Sequence, residues 1–180
     1  MDGGDEDQDA RYQRAADSFG AALERLARAY ERDADLARDL LQDIHLALWR
    51  SLGGFDGRCS MRTWVYRVAH NVGAGHALRQ RKSRPDQAAS LDELADLPAA
   101  DNPEDAADRQ RTVARLYDLV RRLKAPDQQV MLLYLEGMDA AAIGEITGLS
   151  PGAVATKIHR AKAVLARHFH PPHFHQGGQA

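Results

Sequence analysis

The 180-residue chain has a single cysteine, Cys59, which excludes an internal disulfide framework. Aromatic residues make up only 6% of it, and β-branched residues are few, so little in the composition favours a sheet. No apolar run reaches the roughly 18 residues of a membrane span. The opening MDGGDEDQDA lacks the basic and apolar parts of a signal peptide. No repeat with a period of about 20–50 residues appears. There is no nucleophile–base arrangement and no phosphate loop, and only the C-terminal tail carries a set of metal-ligand side chains. These absences lead us to expect a soluble cytoplasmic protein that is not an enzyme and holds no cofactor.

What is present is Ala, Leu and Arg in helical patterns. The net charge of −2 hides segregation. From Gly57 to Arg84 there are seven Lys or Arg and no carboxylate, with Trp64 and Tyr66 among the cations. Residues 85–108 reverse this, with eight carboxylates and no Lys or Arg. After Glu145, the last carboxylate, come Lys157, Arg160, Lys162 and Arg167. Solvated helix faces are the ordinary fate of charge runs; two separate basic surfaces also suit two contacts with a polyanion.

Periodicity predicts an all-α protein of two small helical domains. Residues 1–11 read as a disordered acidic tail, 12–82 as the first domain, 83–104 as a flexible acidic linker, 105–169 as the second domain and 170–180 as a His-rich tail. In the first domain, Phe19, Leu23, Leu26, Ala27 and Tyr30 mark one helix. Asp33 caps a second, with Leu36, Leu40, Ile44, Ala47 and Leu48 as its stripe. Ser60 caps a third, running from Met61 to about Lys82, with Met61, Trp64, Val65, Val68 and Val72 facing inward and Tyr66 off the stripe. Gly73 and Gly75 weaken that helix by roughly 1 kcal/mol each. One short helical turn is expected in the linker at Leu91–Leu94.

In the second domain, Val113, Leu116, Leu119, Val120 and Leu123 face the core, and Pro126 starts the next helix. Asp139 then caps AAAIGEIT, Gly148 supplies a left-handed stop, and Ser150 caps a final helix with Pro151 at its first position. Short helix, tight turn and longer helix form a helix-turn-helix pattern. Any three-helix domain can contain such a turn, but here the second helix carries no carboxylate. Ala153, Thr156, Lys157 and Arg160 fall on its outer face, where small residues allow close approach to base edges and the cations reach phosphates or guanines.

Three motifs together resemble the extracytoplasmic-function (ECF) group of sigma-70 factors of bacterial RNA polymerase. DADLARDLLQDIHLALWRSL resembles the polymerase-gripping segment. FDGRCSMRTWVYRVAHNVGAGHALRQRKSR resembles the segment that reads and melts the promoter −10 element. MDAAAIGEITGLSPGAVATKIHRAKAVLARHF resembles the −35-reading helix-turn-helix. The resemblance implies a promoter-specificity subunit whose partners are core RNA polymerase (β′ clamp and β flap) and promoter DNA, double-stranded at −35 and single-stranded at −10. An anti-sigma factor is implied as inhibitor.

By the same resemblance, Asp39, Gln42, Asp43 and Leu46 form the polymerase face. The loop with Phe55, Arg58 and Ser60 forms a pocket for an extruded −10 base, and Asn71 reads a base edge. Tyr66 touches the unpaired strand, and Arg58, Arg62, Arg67, Arg79, Arg81 and Lys82 hold its phosphates. Ser150, Gly152, Ala153, Thr156, Lys157 and Arg160 meet the −35 duplex. Gly73, Gly75, His76 and His45 depart from the family pattern. His168 to His175 hold four histidines, which Pro171 and Pro172 keep from sharing a helix; no metal site is assigned. A stand-alone helix-turn-helix regulator is the alternative, and it leaves residues 55–84 without a role.

Overall fold

The computed structural model describes residues 3–83, 89–96 and 108–169. Apart from one isolated bridge between Ala89 and Leu123, every regular element among them is a helix. Helices α1 (Gly3–Tyr30), α2 (Ala34–Leu52) and α3 (Met61–Ser83) make the first unit. Asp33 caps α2 by accepting from the backbone N–H groups of Asp35 and Leu36. Ser60 Oγ accepts from Thr63 N at 3.0 Å at the start of α3, which is N-cap geometry in both cases. Leu40, Ile44, Leu48 and Leu52 of α2 are fully buried against Leu23, Leu26 and Tyr30 of α1 and Val65 and Ala69 of α3.

Three expectations are corrected in this unit. The acidic start is helical from Gly3; Gln8 donates to Trp49 O at 2.8 Å, Trp49 Nε1 donates to Asp9 at 2.7 Å, and Asp7 pairs with Arg11. Long-range partners on α2 thus extend a helix that local composition would leave frayed. Leu36 is exposed and Ala37 is buried in its place. On α3 the fully buried positions are Val65, Ala69 and His70, while Trp64 and Val68 are only partly covered. Gly73 explains the inward rotation: a Cβ there would lie 2.5 Å from Tyr30 ring carbons. Glycine lets α1 and α3 approach where any side chain would collide.

The second unit holds α4 (Leu91–Ala95), α5 (Asp108–Arg122), α6 (Asp127–Leu135), α7 (Ala140–Thr147) and α8 (Pro151–Phe169). Asp139 caps α7, and Gly148 closes it with φ +76°, the left-handed stop that glycine favours. Ser150 Oγ accepts from Ala153 N at 3.2 Å to start α8. Ile143, Val154 and Ala161 are buried as the helix-turn-helix pattern requires, while Val113 of α5 is exposed. The described part of the linker is folded. Ser90 and Glu93 form a capping box around α4, Leu94 is fully buried, and Leu94 O is 2.9 Å from His168 Nε2. His168 therefore belongs to the core rather than to the histidine tail. The rest of that tail, residues 170–180, lies outside the described residues, as do residues 84–88 and 97–107.

Burial also joins the two units. One apolar cluster runs from Leu23, Leu48 and Val65 through Leu94 and Leu123 to Leu165. A second, centred on Val130, Leu133, Ile143 and Val154, takes in Tyr66 from α3 with Phe19 and Ala22 of α1 at its edge.

Candidate polymerase and nucleic-acid interfaces

Asp39, Gln42, Asp43 and Leu46 are all exposed. Their i, i+3, i+4, i+7 spacing puts them on one face of α2, opposite its buried stripe. Leu46 is 46% exposed, an apolar tip on an acidic surface. A groove of about 300 Å³ between α2 and α3 is lined by Asp43, Leu46 and Arg50 on one side and Asn71, Gly75 and Arg79 on the other. The expected polymerase face and the expected base-reading amide therefore border one cleft. Arg50 was missed in the sequence, although it continues the same helical face one step beyond Asp43 and Leu46.

The loop before α3 is ordered by its own side chains. Asp56 accepts from Arg58 through both backbone N–H and side chain. These bonds hold the Asp56 carboxyl below its ordinary pKa, the backbone bond contributing most. Phe55 packs edge-on against Trp64, with centroids 5.3 Å apart, and Trp64 Nε1 donates to Ser51 Oγ at 3.0 Å. Phe55 and Cys59 are half-buried; Arg58 and Ser60 are exposed. The backbone of residues 81–83 is helical, but the Arg81 and Lys82 side chains lie outside the described residues.

Farther along α3 the surface is not open. Tyr66, expected to touch the unpaired strand, is only 3% exposed in this structure. Its hydroxyl donates to Glu136 Oε2 at 3.1 Å, and its ring lies nearly parallel to that of His70, with centroids 6.3 Å apart. Burial, with the Glu136 charge next, pushes the Tyr66 pKa up to about 12. Arg25 holds the same carboxylate through two bonds, at 3.2 and 2.8 Å. Arg62 donates to Glu136 O at 2.9 Å, and Arg67 to Glu145 O at 2.9 Å. Arg62, Tyr66 and Arg67 are thus brought together against α6 and α7; Tyr66 is covered there, while Arg62 stays exposed and Arg67 half-buried. Asn71 stays exposed beyond this contact. The period of α3 leaves Tyr66 off the inward stripe, and only the second unit explains its burial.

Beneath this contact His70 is fully buried. Its Nδ1 shares a 2.9 Å hydrogen bond with Tyr30 OH, and Nε2 has no hydrogen-bond partner among the described residues. Burial lowers its pKa to about 3, so the ring is neutral.

On α8, Ser150, Gly152 and Thr156 are exposed and Ala153 is half-buried. The two cations are already paired: Lys157 Nζ lies 2.8 Å from Asp127 Oδ1, and Arg160 Nη2 lies 3.3 Å from Asp92 Oδ1 on the linker helix. Asp92 and Asp127 carry no local sequence signal for this role, because their partners lie far along the chain.

Comparison with known proteins matches residues 16–84 to the Sigma-70 region 2 model and residues 114–165 to the Sigma-70, region 4 model. The RNA polymerase sigma factor CarQ of Myxococcus xanthus is 34% identical over 131 residues, covering 72% of each chain. The chain is an ECF member of the sigma-70 family. The ECF RNA polymerase sigma factor SigM of Mycobacterium tuberculosis is 31% identical over 145 residues, 81% of this chain and 70% of SigM. The fold also matches that of CnrH, solved in complex with the cytosolic domain of CnrY. That match has a TM-score of 0.61 and 24% identity, covering 86% of this chain and 84% of CnrH. In this ECF factor, α1–α3 correspond to region 2, and the region 4 match runs from α5 into α8.

Proposed function

We infer that this ECF factor binds core RNA polymerase, directs it to specific promoters and helps open them, with no catalytic chemistry of its own. The observation that carries this reading is the groove where Asp43 and Leu46 meet Asn71 and Arg79. A clamp helix seated on the acidic α2 face, with the β′ clamp as its source, would bring an unpaired strand past Asn71. The amide can donate to and accept from a base edge. Arg58, Arg79, Arg81 and Lys82 supply phosphate contacts, joined by Arg62 and Arg67 when the second unit moves away. Ser150, Gly152, Ala153 and Thr156 form the cap and small-residue start of α8 that enters the −35 major groove, with Lys157 and Arg160 behind it. The second unit would rest on the β flap. CnrH is in complex with the cytosolic domain of CnrY; for this chain an anti-sigma protein covering the same surfaces is the corresponding proposal.

The deciding experiment is run-off transcription with purified core enzyme and genomic fragments. Transcripts with defined starts, dependent on the added chain, are the expected result. DNA binding that is indifferent to polymerase, with no transcript, would favour the stand-alone helix-turn-helix regulator.

A further inference from the structure

Helix α1 starts at Gly3, whereas the match to the region 2 model starts at residue 16. The turns of α1 ahead of that match contact one place, the corner where α2 ends and the loop to α3 begins. Gln8 and Asp9 both bind Trp49, through its carbonyl and its Nε1. Arg11 reaches past the end of α2: its Nη1 donates to Leu52 O at 3.5 Å and to Phe55 O at 3.3 Å. These two carbonyls stand on either side of Gly53 and Gly54, the residue type with the least backbone restraint of its own. Leu52 O also belongs to the last turn of α2, where unpaired carbonyls and the helix dipole favour a cation. A Cβ at Gly53 would lie 2.8 Å from Gln8 Oε1, so α1 passes close over the turn. Tyr12 anchors the same part of α1 to α2, its hydroxyl 3.0 Å from His45 Nδ1. His45, which departs from the family pattern, therefore has its partner in these early turns.

We propose that Arg11 is a positioning residue for −10 recognition: it ties the two ends of the Gly53–Gly54 turn and so fixes where the Phe55–Ser60 loop holds an extruded base. The proposal rests on the sigma reading, which places that pocket in this loop. Arg11 itself touches no DNA in this role. Its bonds go to backbone, and they leave the Arg58 and Ser60 side chains exposed for the strand. Phe55, at the far end of the tie, is seated on Trp64 with ring centroids 5.3 Å apart. Groups that recognise a ligand have to be held within about 0.5 Å of their productive geometry by the residues behind them. A Gly-Gly turn without a tie lets Phe55 and Ser60 take several positions. The correct base is then held less well and a wrong one is rejected less, so discrimination falls.

The test uses the full chain with core enzyme on a promoter found by run-off transcription, and on copies of it with single base changes in the −10 non-template strand. A base change in a specific site costs about 5- to 150-fold. Arg11→Met should cut the largest such penalty at least about threefold, with affinity for core enzyme unchanged. Arg11→Lys, which keeps the charge and can reach one carbonyl, should fall between Arg11→Met and wild type. Asp7→Asn removes the carboxylate that pairs with Arg11 but neither carbonyl, and should match wild type. A general loss of stability would lower transcription from every template alike and leave the penalties unchanged; that result, or wild-type behaviour of Arg11→Met, overturns the proposal. The loop is also read without polymerase. Trp49→Phe leaves Trp64 as the one remaining tryptophan of two, and adding Arg11→Met should raise its quenching by acrylamide at least about twofold. Unchanged quenching means that Arg11 does not hold the loop, and overturns the proposal while the sigma reading stands. If wild type never transcribes, the sigma reading falls, and the role in base selection falls with it whatever the quenching.

Discussion

Two glycines two residues apart on α3 should respond oppositely to alanine. Each lowers helix stability by about 1 kcal/mol relative to Ala in an open helix. At Gly75 the nearest obstacle to a new Cβ is Arg79 Nη1 at 3.5 Å, an ordinary contact. Gly75→Ala should therefore stabilise by up to about 1 kcal/mol. At Gly73 the new Cβ would lie 2.5 Å from both Cδ2 and Cε2 of Tyr30, whereas carbons rest at about 3.5–4.0 Å. The ring must move by about 1 Å, but Tyr30 is only 6% exposed and its hydroxyl holds His70. Overpacking of this kind costs about 1–3 kcal/mol, and losing the hydrogen bond adds about 1. Against the propensity gain, the net destabilisation is about 1–3 kcal/mol. With a urea slope of about 2 kcal/mol/M, the unfolding midpoint should fall by about 0.5–1.5 M for Gly73→Ala and rise by up to about 0.5 M for Gly75→Ala. Equal midpoints, or a higher one for Gly73→Ala, would refute the claim that helix approach at Tyr30 selects glycine.

Asn71→Ala should slow open-complex formation, followed by permanganate reactivity, while leaving binding to core enzyme unchanged; loss of polymerase with melting intact would move Asn71 to the other interface. Lys157→Ala and Arg160→Ala should each weaken binding to the −35 duplex and lower the salt slope by about one. Because Asp92 competes for Arg160, Asp92→Asn should tighten that binding, and an unchanged affinity would make the ion pair irrelevant to DNA. His70 stays neutral when folded, with its pKa down at about 3, but takes a proton near 6.5 when unfolded. Its contribution is therefore complete above pH 6.5 and declines on acidification, by up to about 1.4 kcal/mol per pH unit until about pH 3. Urea titrations at pH 7.5 and 5.5 should show this loss, and His70→Leu should reduce it; His45, whose pKa burial also lowers, leaves a remainder in the same direction.

Helix caps and turn glycines were legible because they are local. Asp33, Asp139, Gly148 and Ser150 satisfy their own backbone within a few residues, so spacing alone identifies them. The exposed α2 face was legible because 3.6-residue periodicity separates it from the buried stripe. Leu36 and Val113 were misplaced because they sit at helix margins, where period alone does not say how far the covering neighbours extend.

The sequence by itself determined the helices, their order, the helix-turn-helix and the segregation of charge, all of which follow from patterns within one turn or one charge block. Only the tertiary structure decided that Glu136 meets Arg25 across 111 positions, that Tyr66 is buried and that Asp92 faces Arg160. Those outcomes depend on how apolar faces of separate helices share one core, and no residue's neighbours along the chain carry that information.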